Sequence, residues 1–256
     1  MYMKRVRLVF PIVLIALALG FSSCQKDNSN STVKGSSALG IKIQALNKSF
    51  SMPVSAVGLK SASIVGSSIA WDSARMVVSS VNFEAKLKSL VSHHDSISIS
   101  YKWNGPLEIN LLDSNITVGN FSLTPGFYDE IELKVEGFKQ DAGGKPVFYL
   151  HGIYTKGDAT ILPVVVKVNE DVMFKTEKDS VGVTTADPVF TSVIQLYLDQ
   201  LMSEIQLTAL DNATLTNGAI VISAANNNEI YRIIMRNLGK NHHCRHGRGD
   251  GNRNEH

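Results

Sequence analysis

The chain has 256 residues, 44% hydrophobic, 19% charged and 7% aromatic, a composition suited to a folded core and unlike that of a disordered chain. The net charge of +2 includes basic residues at both ends, so the central region has no basic field and nucleic acid is not an expected partner. Only two cysteines are present, Cys24 and Cys244; if the first is modified, the second has no intramolecular partner, and the fold must be held by its core.

Lys4, Arg5 and Arg7 precede an apolar run from Val9 to Leu19, and Gly20-Phe21-Ser22-Ser23 leads to Cys24. This order predicts a secretory signal over residues 1–23, too short to span a bilayer and ending in a lipobox. Cleavage before Cys24 and acylation of its thiol and new amino terminus follow. Several buried acyl chains, each CH₂ adding about 0.8 kcal/mol, make such an anchor permanent. Residues 24–37 are polar and read as a flexible tether. Ser22-Ser23-Cys24 followed by Gln25-Lys26-Asp27 resembles the start of Bacteroidota surface lipoproteins, with Asn28 where a second acidic residue is usual. The resemblance implies an outer-membrane lipoprotein displayed at the cell surface.

From Leu39 the pattern has period two. Leu39, Ile41, Ile43 and Ala45 predict a first strand, and residues 47–68 a loop. Trp71 to Leu87 predicts a strand whose buried parity shifts at Ser79-Ser80, which calls for a β-bulge or a break. Ile97, Ile99, Tyr101 and Trp103 mark one face of the next strand, and Asn104-Gly105 predicts a hairpin turn into Leu107, Ile109 and Leu111. Further strands are expected over 115–123, 127–135, 147–154 and 160–168, with Pro163 placing the last at an edge or starting it late, and Met173-Phe174 closing the series. Many short strands at this spacing predict a mainly β fold, an antiparallel β-sandwich of Greek-key, transthyretin-like or immunoglobulin-like form, over residues 38–207.

The period then changes. Asp187-Pro188 reads as a helix start, and Phe190, Val193, Ile194, Tyr197, Leu198, Leu201, Met202 and Ile205 recur at helical spacing. Over 208–239, a loop and the strand-like Ala219–Ile222 lead to a second helix, capped by Asn228, with Ile230, Ile233, Ile234 and Leu238 on one face and Gly239 as its stop. Residues 240–256 read as a disordered tail rich in His, Cys and Arg.

Ile69-Ala70-Trp71, the apolar stretch Gly105–Leu112 and Leu123-Thr124-Pro125-Gly126-Phe127-Tyr128 resemble, in that order, the domain-of-unknown-function 4382 family of bacterial lipoproteins. The resemblance spans roughly 39–207 and implies a β-rich body. It supplies no functional residues.

Candidate chemistry is sparse. His93-His94-Asp95 offers metal-ligand types but no second cluster, and His151 stands alone in a strand. Glu130 and Glu132 share a strand face beside Asp129 and Glu136, the residue types of a glycoside hydrolase without its facing geometry. His242, His243, Cys244 and His246 can ligate copper, nickel or zinc when deprotonated. Ser73, Ser96 and Ser180 each follow Asp and precede a small or aliphatic residue, and resemble the O-glycosylation acceptors of exported Bacteroidota proteins. The expectation is a membrane-anchored, non-enzymatic protein without a cofactor, presenting its β body to a glycan, a protein or a surface assembly. The alternatives are a metal-binding lipoprotein using the tail and, third, a carbohydrate-active enzyme using Glu130 or Glu132. Trp71, Tyr101 and Trp103 are the aromatic residues that could line a binding face.

Overall fold

A computed structural model describes residues 37–52, 66–88, 96–113, 115–184, 189–240 and 242–248. Cys24, the signal segment, the tether and His93-His94-Asp95 lie outside them. The described residues fall within one compact unit, and the fold is mainly β.

β3, Ser68–Lys88, is the strand around which the larger sheet is built. Its first half pairs antiparallel with β7, Phe148–Thr155, and its second half with β6, Gly126–Gly137. Its opposite edge carries the short β2, Ser49–Ser51, and then β4, Ser96–Asn110. Beyond β6 lies β9, Val172–Val183; beyond β7 lie β8, Ile161–Val168, β12, Ala219–Ile222, and β11, Leu215–Thr216. The second sheet orders β13, His242–Arg248, β10, Val189–Tyr197, β1, Ser37–Leu46, and β5, Thr117–Leu123.

Apolar side chains at alternate positions bury one face of each sheet into a shared core. Phe121 of β5 stacks on Tyr101 of β4 with ring centroids 5.4 Å apart, and both approach Phe83 of β3, so aromatic rings fasten sheet to sheet. Trp71 is buried, and Tyr101 and Trp103 pack against the core, so these aromatics serve packing.

The expected parity shift in β3 is present as a register shift between Val78 and Ser80. The strand does not break there, because Ser79 Oγ accepts the Phe138 N–H at 2.8 Å and Ser80 Oγ donates to Glu136 at 2.7 Å. The predicted turn at Asn104-Gly105 is corrected: β4 runs straight through it. Ser80 faces Asn104 and Val78 faces Leu107, so β4 carries one extra residue and forms a bulge. Gly105 suits that bulge because a Cβ there would stand 2.3 Å from the Val78 carbonyl oxygen.

The arrangement is not wholly antiparallel. β1 runs parallel to β10 and β12 parallel to β8; period-two burial looks the same in either direction, so the pattern alone could not fix it. Pro163 lies in β8 just before β12 begins to pair at Val164, which leaves its missing donor without a ladder to interrupt. The strands do not close at Met173-Phe174, since β9 continues to Val183 and β10 follows.

The expected helix start at Asp187-Pro188 lies outside the described residues, and the helix expected from Phe190 to Ile205 is strand as far as Tyr197. Ser192, Ile194, Leu196 and Leu198 are buried at period two, and the β-branched Val193 and Ile194 suit a strand beside β1. Only α1, Leu198–Leu201, and α2, Leu207–Asp211, are helical nearby. The later helix is present as α3, Asn228–Leu238, burying Ile230, Tyr231, Ile234 and Leu238. Asn227, in the left-handed region, precedes it in the capping position expected of Asn228, and its side chain ties back to Thr214 and Val221 instead. Residues 208–239 are built into the larger sheet through β12. Residues 242–248, expected to belong to a disordered tail, pair antiparallel with β10 along their backbone.

Candidate functional site

β3 changes partner on one edge between Met76, opposite Phe148 of β7, and Ser80, opposite Glu136 of β6. Gly137 makes the changeover possible: a Cβ there would meet the Val77 carbonyl oxygen at 2.4 Å and Val147 at 2.7 Å. From Gly137 the chain crosses through a short 3₁₀ turn, Lys139–Ala142, and a reversal at Gly143 and Gly144, both at positive φ, before Val147 accepts a hydrogen bond from Val77 N–H at 2.9 Å.

This crossing leaves an open cleft of about 510 Å³ on the outer face, lined by Arg75, Glu108, Lys145, Tyr149, Lys167 and Asn169 among others. Arg75 Nη1 lies 3.2 Å from Glu108 Oε1, and Lys145 Nζ donates to Glu108 Oε2 at 2.6 Å. The guanidinium of Arg75 sits over the Tyr149 ring, 4.5 Å from its centroid. The Lys145 hydrogen bond chiefly holds the Glu108 carboxyl below the usual carboxylate range, against a smaller opposing effect of burial and with help from the charges of Lys145 and Arg75. All three ions remain solvent-exposed to a substantial degree, so each pair adds at most about 1 kcal/mol to stability. Their arrangement therefore matters more for what the cleft can attract than for holding the sheet together.

Further along the same face of β7, His151 has a partner that its sequence neighbours did not reveal. Its Nδ1 lies 2.6 Å from Asp72 Oδ1, at the β3 bulge between Trp71 and Ser73. A carboxylate accepts, so Nδ1 is the donor. Ser73 is the register partner of His151 and is half-buried; Ser96 and Ser180 are exposed, the latter at positive φ within β9.

The acids around β6 are countered one by one. Glu130 pairs with Lys86 across the β3–β6 ladder, Glu132 accepts from Lys175 at 2.9 Å, Asp129 lies 3.8 Å from Lys88, and Glu136 accepts from Ser80 and Asn82. Carboxylate oxygens of Glu130, Glu132 and Glu177 come within 4.8 Å of one another, with Lys86 and Lys175 supplying positive charge beside them. Hydrogen bonds to Glu130 and Glu132 raise the pKa of Lys86 and Lys175, respectively. The backbone of β13 places His242, His243, Cys244 and His246 opposite Leu196, Gln195, Ile194 and Ser192; their side chains lie outside the described residues.

Arg75, Glu108, Lys145, Tyr149 and Lys167 form the principal site the sequence reading missed. Each looked like an ordinary exposed polar position, and only strand register brings them together. No protein-family model, curated protein or solved structure matches the chain.

Proposed function

We propose that this is a lipid-anchored cell-envelope protein that uses its β body as a binding module for a glycan or a surface protein, without catalysing a reaction. The anchor rests on the order of basic, apolar and small residues leading to Cys24, followed by a polar tether. The observation that carries the binding role is the open cleft at the β6–β7 changeover, where charged side chains are held in exposed pairs that a ligand can exchange for its own contacts. Glu130 and Glu132 stand side by side on one strand and are countered by lysines, which favours charge compensation over the facing acid and base of a glycoside hydrolase.

Fractionation of cells tests the anchored module. The full chain is expected in the outer-membrane fraction, with Cys24→Ser released in soluble form. A Cys24→Ser protein that still sediments with membranes contradicts the proposal.

A further inference from the structure

Residues 38–240 contain 17 lysines and arginines against 20 aspartates and glutamates, so the body as a whole is mildly acidic. The cleft reverses that balance by gathering Arg75, Lys145 and Lys167 around the single carboxylate of Glu108. Glu108 occupies one donor of Arg75 and one of Lys145. Lys167 has no hydrogen-bond or ion-pair partner among the described residues. A guanidinium carries five N–H donors and an ammonium three, so most of the donors here are unspent.

We infer that this cleft binds an acidic saccharide through a carboxylate or sulfate group seated among Arg75, Lys145 and Lys167. A volume of about 510 Å³ accommodates a small ligand or a short stretch of sugar rings. Its walls are mixed in the way a pyranose requires: Pro146, Val77 and the part of Tyr149 that Arg75 does not cover offer apolar surface to C–H groups, while the three cations and the Asn169 amide meet oxygens. An anionic membrane fits less well, because the acidic body is repelled by an extended negative surface, whereas a single anionic group enters a local positive site. This ligand class rests on the reading of the body as a binding module and is independent of whether Cys24 is acylated.

Calorimetry on the purified Cys24→Ser chain without detergent, which has no acyl chains to enter a bilayer, tests it, using oligogalacturonate, sulfated dextran oligomers, neutral dextran oligomers of matched length, and phosphatidylglycerol vesicles. The acidic oligomers are expected to bind and the neutral ones not. Lys167→Gln is expected to weaken binding about tenfold, the loss of one charge-assisted hydrogen bond. Glu108→Gln is expected to tighten it by releasing Arg75 and Lys145, a gain that a merely structural role for Glu108 does not give. Lys178→Gln, at an exposed position of β9 away from the cleft, is expected to leave it unchanged. Absence of binding to both acidic oligomers, equal binding of neutral ones, equal losses in the Lys167 and Lys178 variants, or binding to vesicles in place of oligomers overturns the inference. Failure of anchoring appears in the cell fractionation and leaves these affinities unaffected.

Discussion

The hydroxyl of Tyr128 donates a 2.6 Å hydrogen bond to the carbonyl oxygen of Thr124, four residues back across the Pro125-Gly126 turn. Tyr128 is fully buried, so the bond both satisfies a phenol inside the core and closes the turn that feeds β6. Tyr128→Phe keeps the ring and removes the bond. Its unfolding free energy is expected to fall by about 1 kcal/mol, read from urea midpoints with an unchanged slope.

Alkaline pH should act through the same residue. Burial pushes the hydroxyls of Tyr128 and Tyr154 up to about 12, whereas an unfolded tyrosine titrates near 10. Between those values the native state keeps protons that the unfolded state has lost. The stabilisation is therefore complete below about pH 10 and drains away as pH rises through about 12, by up to about 1.4 kcal/mol per pH unit for each tyrosine. Urea melts across that window should show the fall, and a Tyr128→Phe/Tyr154→Phe variant should show a shallower one.

Gly152 and Gly182 should respond in opposite ways to alanine. At Gly152 a Cβ would stand 2.3 Å from the Ala70 carbonyl oxygen and 2.8 Å from Trp71 Cα, backbone that cannot move aside cheaply. Gly152→Ala is expected to cost about 1–3 kcal/mol. At Gly182 nothing lies within 4 Å of the added carbon, and Gly182→Ala is expected to be neutral or to stabilise by up to about 1 kcal/mol. Thermal melts of the two variants provide the comparison.

Asn237 is the buried polar link between the last helix and the segment after β10. Its Nδ2 donates to the carbonyl oxygens of Leu201 at 3.1 Å and Ser203 at 2.8 Å. Asn237→Leu leaves both acceptors without that donor. A loss of about 1–3 kcal/mol is expected, together with faster amide exchange in α3.

The elements legible in the sequence were those whose local pattern agreed with their final surroundings. Leu39, Ile41 and Ile43 alternate and are buried in alternation, and Ile230, Ile234 and Leu238 share a helix face that packs inward. Elements were misread where two periods coexisted or where a local turn signal met a long-range partner. Ile194 and Leu198 fit both a helix and a strand until β1 lies alongside, and Asn104-Gly105 suits a turn but is held as a bulge against Val78. The cleft was illegible for a different reason. Arg75, Glu108, Lys145 and Lys167 belong to separate segments, and their meeting depends on the changeover of partners along β3, which local periodicity does not encode.

Whether the Cys24 thiol carries lipid is most directly tested by growing cells with labelled palmitate and recovering the protein. A lipid anchor at Cys24 predicts label in the mature native chain and none in Cys24→Ser. A native product that never takes up label, or a serine variant labelled equally, contradicts it.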